Sequence, residues 1–226
     1  MSLPIKFRKS RENITSYNFL DVATGTGILV MYAGITSSGA RLNNYAFYSE
    51  RVGTVGGLSS GVWTIMNSLD FDVNLTNNFI MEGETIINVP HGILGATSTM
   101  DYRSYVDAII KRIRDGEVKT VTSQSGSSIR VEPVGQWNYI KGISAINIDI
   151  PKTNFKNGDI LRLTINQYGK EVDNIPAASG IWFIGHDPKN RDTSGNEQIV
   201  SGSASYLTFG GDPSQLTFPV PVRIDL

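Results

Sequence analysis

Short apolar runs end repeatedly in clusters of Gly, Ser, Asn or Pro, a pattern that leaves little room for long helices. In "LDFDVNL", Leu69, Phe71 and Val73 alternate with Asp70 and Asp72, so one face is apolar and the other polar. Similar segments recur at intervals of roughly 8 to 20 residues and give about ten strands. The sequence therefore predicts an all-β fold, an antiparallel β-sandwich of jelly-roll type.

The 226 residues are enough to bury the core of one large β domain. We expect a basic N-terminal arm over residues 1–15 and a single sandwich domain over 16–226, with a long loop at about 51–66. The chain has no cysteine, which excludes disulfides, thiolate catalysis and Cys-ligated zinc. No apolar run approaches the roughly 20 residues that span a bilayer and no secretion signal is visible, so we expect no membrane contact.

Charge is sparse and unevenly distributed. Charged residues make up 18% of the chain and the net charge is -1, so we do not expect a nucleic-acid partner bound through a broad basic surface. Positive charge is concentrated near the N-terminus, in Lys6, Arg8, Lys9 and Arg11. Such a segment has little apolar area with which to fold alone. It is either a solvated tail or an arm that lies on an acidic neighbouring surface.

Residues 101–116 fit two structures. Apolar residues at helical spacing up to Ile113, with Asp101 as a cap, are compatible with a helix. However, apolar and polar positions also alternate there, and Asp115-Gly116 followed by a β-rich segment is a strong hairpin signal. We favour the hairpin; the helix stays open as an alternative and would not change the fold class.

Prolines give three further expectations. Pro90 should end the strand that starts in "NNFIMEGETIINVP", and Pro151 should end "KGISAINIDIP". Pro219 and Pro221 remove ladder donors at alternate positions, so the last segment should be an edge strand or an arm.

A glycine-rich stretch, "FLDVATGTGILVMYAG" at 19–34, resembles the first motif of Rossmann-like methyltransferases, with Asp21 before it and Glu50 at a suitable distance after it. That motif requires an amphipathic helix from Ile28. The residues that follow are rich in β-branched side chains, contain Gly34 and lack a polar face, so they predict a strand. An S-adenosylmethionine-dependent methyltransferase is therefore the least favoured alternative.

Other catalytic patterns are weak. His91 and His186 have no matched nucleophile signature. Asp70 and Asp72 have the spacing of a glycosidase pair, but acids on the solvent face of a strand are commoner. We therefore expect no enzyme activity, no catalytic residue, no metal and no cofactor.

Aromatic residues are the remaining binding candidates. Trp63, Trp137 and Tyr139 stand beside glycine-rich turns, where they could stack against sugars as in carbohydrate-binding modules. Trp182 lies inside an apolar run and is expected in the core.

As a whole the chain resembles the jelly-roll virion structural proteins of tailed phages, which decorate capsids or associate with tails. The segments that carry the resemblance are "ATGTGILVMYAG", "LDFDVNL", "IPKTNFKNGDILRLTI" and "PVPVRIDL". The resemblance implies a bacteriophage decoration or cement protein located in the virion. It also implies partners among the major capsid protein or other virion proteins, and a homo-oligomer. A glycan- or receptor-binding module of a tail or fibre is the alternative.

Overall fold

The computed structural model describes residues 15–16, 26–36, 39–43, 51–57, 61–95, 101–131, 139–172, 179–185 and 216–223. Every regular secondary-structure element among these residues is a β-strand. The strands are β1 (Thr15–Ser16), β2 (Thr26–Thr36), β3 (Gly39–Asn43), β4 (Arg51–Gly57), β5 (Thr64–Asn74), β6 (Phe79–Gly95), β7 (Tyr102–Arg114), β8 (Glu117–Ser125), β9 (Ile129–Val131), β10 (Tyr139–Phe155), β11 (Ile160–Glu171), β12 (Ser179–Gly185) and β13 (Thr217–Arg223).

Two antiparallel sheets pack as a sandwich. The front sheet has the order β5–β11–β7–β8, with β9 also paired to β7. The back sheet is centred on β6, which pairs with β10 on one side and with β12 and β13 on the other; β12 continues to β4 and β13 to β2. β2 pairs with β3, which meets β5 through one parallel pair, Arg41 and Asp72. The predicted all-β antiparallel sandwich is confirmed.

The core lies between the sheets and follows from period-two alternation. In β7 the buried positions are the even ones from Tyr102 to Ile110, while the odd positions are only half-buried. The same alternation in β10 buries Ile146, Ile148 and Ile150. Front and back strands contribute to one continuous apolar cluster, because each sheet turns its apolar face toward the other.

The predicted hairpin at 101–116 is confirmed. β7 and β8 are joined by Asp115 and Gly116, whose φ angles are 52° and 82°. Positive φ at both central residues is the requirement of the tight turn that suits the twist of paired strands. The sequence around Asn157-Gly158 likewise forms a turn, between β10 and β11.

Two glycine-rich regions have clear outcomes. β2 runs from Thr26 to Thr36, so the methyltransferase helix from Ile28 does not form and the strand prediction is confirmed. The long loop at about 51–66 is wrong in part, because Arg51–Gly57 is strand β4 and pairs with β12, and β5 begins at Thr64. Strand pairing on β12 provides hydrogen-bond partners that composition alone did not indicate.

Pro90 and Pro151 do not end their strands. β6 continues through Pro90, and β10 continues past Pro151 with a register shift between Ile150 and Thr153. Pro151 is tolerated because no ladder donor is required of it at this irregularity. Pro90 lies between Asn88, which pairs with β13, and His91, which pairs with β12.

The edge position expected for the last segment is also wrong, since β13 lies between β2 and β6. Its pairing with β6 is interrupted between Thr217 and Val222, the span that holds Pro219 and Pro221. The Thr85 hydroxyl of β6 donates to the carbonyl of Pro219 across this gap. The missing proline donors therefore loosen one side of β13 without placing it at an edge.

Candidate functional site

Aromatic and cationic side chains gather at one end of the outer face of the front sheet. The register sets Tyr168 of β11 opposite Tyr105 of β7, and Lys170 opposite Arg103. Directly opposed residues share a face of the sheet. Trp63, just before β5, lies over the same end. We call these five residues the aromatic-cationic patch.

The three rings of the patch are in mutual contact. Tyr105 and Tyr168 stack with centroids 4.7 Å apart and planes 7° from parallel. Trp63 meets Tyr105 edge to face, with centroids 4.7 Å apart and an interplanar angle of 83°. All three residues are half-buried. The rings therefore form an apolar surface that solvent still reaches.

Cations border these rings. The Lys170 ammonium lies 4.8 Å from the ring centroid of Trp63, within cation-π range. Arg103 is opposite Lys170 on one side and opposite Arg130 of β9 on the other. Arg130 forms a 2.8 Å ion pair with Asp101. The end of the front sheet thus carries a row of three cations on adjacent strands, of which only Arg130 is paired with an acid among the described residues.

Acceptors lie on the next row of the same face. Asp107 is opposite Asn166, and Ser68 donates a 2.7 Å hydrogen bond to the amide oxygen of Asn166. Asp107 Oδ1 is buried without a hydrogen-bond partner among the described residues. Burial, followed by the charge of Asp107, raises the pKa of Tyr105 and of Tyr168. Both phenols therefore stay protonated at neutral pH, and that of Tyr168 already donates to Asp107.

Farther along this face the acids are already paired. Arg162 binds Asp72 with two hydrogen bonds, of 2.7 and 2.8 Å, and donates a third, of 2.8 Å, to Asp70. Thr164 donates a 2.5 Å hydrogen bond to Asp70. The spaced carboxylates noticed in the sequence are therefore held by a neighbouring strand, in an arrangement that stabilises β5 on β11.

The outer face of the back sheet has a different character. Ile86 of β6 is 50% exposed and Ile143 of β10 is 61% exposed. On β10, Ile143 lies opposite Pro90 of β6, and Ala145 lies opposite Asn88, which is two residues beyond Ile86. The exposed Ala145 is therefore positioned between Ile143 and the level of Ile86. We call Ile86, Ala145 and Ile143 the apolar ridge.

Acids border this ridge at one end. Glu84 and Asp149 are directly opposite each other on the same face, and Glu82 is the next outward residue of β6. These three residues form the acidic rim. An open groove of about 360 Å³ runs beside them where β13 parts from β6, and it is lined by Glu84, Thr85, Ile86, Asn147, Pro219 and Pro221.

His91 is shielded from solvent inside the sandwich. It lies within β6, is fully buried, and its Nε2 is 2.8 Å from the Ser144 hydroxyl. Ser144 donates its single proton to the carbonyl of Ser127, so the histidine Nε2 carries the proton between them. Burial lowers the pKa of His91 to about 4. This neutral histidine belongs to the core.

The structure places only part of the predicted site. Trp63 lies in the aromatic-cationic patch. Tyr139 begins β10 opposite Leu94, and its side chain is not among those described. Lys6, Arg8, Lys9, Arg11 and Trp137 lie outside the described residues, as does His186.

Sequence reasoning missed the other four members of the patch. Tyr105 and Arg103 lie on β7, whereas Tyr168 and Lys170 lie on β11. The sequence indicated only that each of these residues occupies an outward position in the alternating pattern of its strand. The register between β7 and β11 is what brings them together.

Within the part of the chain that the structure describes, no group of three or more metal-ligating side chains comes together. Those residues also contain no helix suited to crossing a membrane.

Comparisons with known proteins yield weak structural likenesses. No family model and no curated protein matches the chain. A CocE/NonD family hydrolase from Staphylococcus aureus matches with 9% identity over 85% of this chain and 36% of its own, at a TM-score of 0.42. An aminopeptidase from a Thaumarchaeota archaeon matches with 5% identity, the same coverages and the same TM-score of 0.42.

A viral protein is also among the matches. The infectious bursal disease virus VP2 subviral particle matches with 13% identity over 84% of this chain and 44% of its own, at a TM-score of 0.26. This chain thus spans less than half the length of each of these proteins. Likenesses at such scores carry no inference about activity.

Proposed function

We propose that the chain is a non-enzymatic structural protein of a virion, one that decorates a capsid and stabilises it by non-covalent contacts. The low charge, the abundance of small polar residues and the resemblance to tailed-phage virion proteins support this proposal. The tailed-phage origin, the major capsid protein as a partner and the homo-oligomer belong to the same proposal.

The observation that carries it is the apolar ridge. A single exposed isoleucine is ordinary on a protein surface. Here two exposed isoleucines and an exposed alanine lie on the same face of two paired strands, with the acidic rim at one end. Apolar centres with charged borders are typical of surfaces that bind other proteins.

The N-terminal arm has the complementary chemistry. Its basic residues oppose the acidic rim in charge, and Ile5 and Phe7 alternate with Lys6 and Arg8. We infer that the arm of one copy binds the ridge and rim of a neighbouring copy on the lattice. Such head-to-tail contacts repeat from copy to copy and so reinforce the shell.

Binding to particles of the encoding virus, measured by co-sedimentation at several salt concentrations, tests the proposal. We expect deletion of residues 1–12 and the substitution Ile143→Asp each to weaken binding at least tenfold. Combined, they should cost no more than either alone, because they remove the same contact. Higher salt should weaken binding by the unaltered protein.

The matched control is Val118→Asp, which changes a residue of β8 that is 55% exposed on the front sheet. It should bind particles normally. Normal binding by both the deletion variant and Ile143→Asp would refute the arm-to-ridge contact, and no binding by the unaltered protein would refute the decoration role.

A further inference from the structure

The aromatic-cationic patch contains an arrangement that folding does not require. Lys170 and Arg103 are directly opposed across β11 and β7, and like charges in such positions destabilise a sheet. No ion pair joins either of them to an acid among the described residues. Arg103 Nε is buried without a hydrogen-bond partner there. An anion bound between the Lys170 ammonium and the Arg103 guanidinium would offset the repulsion between these two cations.

The rings beside these cations add a second requirement. Trp63 and Tyr105 present half-buried aromatic surface on the outside of the sheet. Aromatic surface of this kind is suited to a flat ligand that has one apolar face and a polar edge. The pyranose ring of a sugar has an apolar face of C–H groups and an edge of hydroxyls.

The acceptor on the next row completes the set. Asp107 follows Arg103 by four residues on the same strand face, about 14 Å along β7. Its Oδ1 is buried and has no hydrogen-bond partner among the described residues, so it can accept from a ligand hydroxyl once the Asp107 side chain turns outward. A ligand that contacts both the cations and Asp107 is therefore longer than a single sugar ring.

We propose that the aromatic-cationic patch binds a carboxylated sugar of an acidic glycan. The sugar ring packs on Trp63 and Tyr105, and its carboxylate accepts hydrogen bonds from Arg103 and Lys170. A hydroxyl of the following sugar donates to Asp107. This binding activity is additional to decoration and does not depend on it.

Single-stranded nucleic acid also combines aromatic stacking with cations. It needs positive charge along a path of several nucleotides. Here the positive row is followed by Asp107 and then by Asp70 and Asp72 on the same face. Asp107 interrupts the positive charge, and Arg162 beyond it is already neutralised by Asp70 and Asp72, so the patch suits one compact anion.

A glycan array tests the proposal, with sialylated and uronate-containing glycans each printed beside its neutral counterpart. We expect binding to carboxylated members only. Titration of the strongest free oligosaccharide should then show at least tenfold weaker binding by Trp63→Ala, and at least fivefold weaker binding by Arg103→Gln and by Lys170→Gln. A twelve-residue deoxythymidine strand should not compete.

The matched control is Lys111→Gln, which removes a cation from the same face of β7 beside Arg162. It should bind as the unaltered protein does. Circular dichroism and thermal melting establish that each variant is folded. Arg103→Gln and Lys170→Gln keep the test valid if Trp63→Ala unfolds. The proposal would be overturned if no carboxylated glycan binds, if Arg103→Gln and Lys170→Gln both bind with unaltered affinity, or if the deoxythymidine strand competes.

Discussion

The buried imidazole of His91 links folding to pH. Its pKa is lowered by burial from 6.5 to about 4, so the unfolded chain takes up the proton first as the pH falls. The histidine therefore contributes full stability above pH 6.5 and loses it as the pH falls from 6.5 toward about 4. Substitution His91→Gln removes this titration and retains a donor for Ser144.

We expect the stability advantage of the unaltered protein over His91→Gln to shrink by roughly 2 kcal/mol between pH 7.5 and 4.5. Urea unfolding of both proteins across that range measures it. The range stays above the titration of Asp159, whose pKa the Arg114 hydrogen bond lowers to about 2. Parallel pH profiles of the two proteins would show that His91 is not buried as a neutral group.

The turn between β7 and β8 shows how one element depends on two backbone conformations. Gly116 has a φ of 82°, and a Cβ built there would meet nothing within 4 Å. Substitution Gly116→Ala should therefore cost about 1 kcal/mol through backbone conformation alone. Asp115→Asn should be nearly neutral, because Asn adopts the φ of 52° at least as readily. Chemical denaturation measures both, and equal stability of Gly116→Ala and the unaltered protein would contradict the turn.

Elements were predictable from sequence where local chemistry decides them. Alternation around Phe71 and the turn pair Asp115-Gly116 identified strands and a hairpin correctly. The predictions based on prolines were wrong, because a proline ends a strand only where a neighbouring strand needs its N–H. Pro90, Pro151 and the prolines of β13 have neighbours that only the folded topology reveals.

At the scale of the molecule, the candidate site depends on register. Trp63 was predicted from its position beside a glycine-rich turn. Arg103 and Lys170 were not, because they are distant in sequence and their opposition follows from the pairing of β7 with β11. A shift of that register by one residue would move every outward side chain of one strand into the core. Binding residues on a sheet face are for this reason harder to read from sequence than the strands that carry them.

The continuous core makes a prediction about the whole sandwich. Leu163 of the front sheet and Ile148 of the back sheet belong to the same buried cluster, at 0% and 1% exposure. If residues 16–226 form one domain, Leu163→Ala and Ile148→Ala each remove about 2–5 kcal/mol from the same unfolding equilibrium. Scanning calorimetry should show one transition in the unaltered protein and one, shifted to lower temperature, in each variant. Two transitions, with each substitution lowering only one of them, would mean that the sheets unfold separately and that the single-domain expectation is wrong.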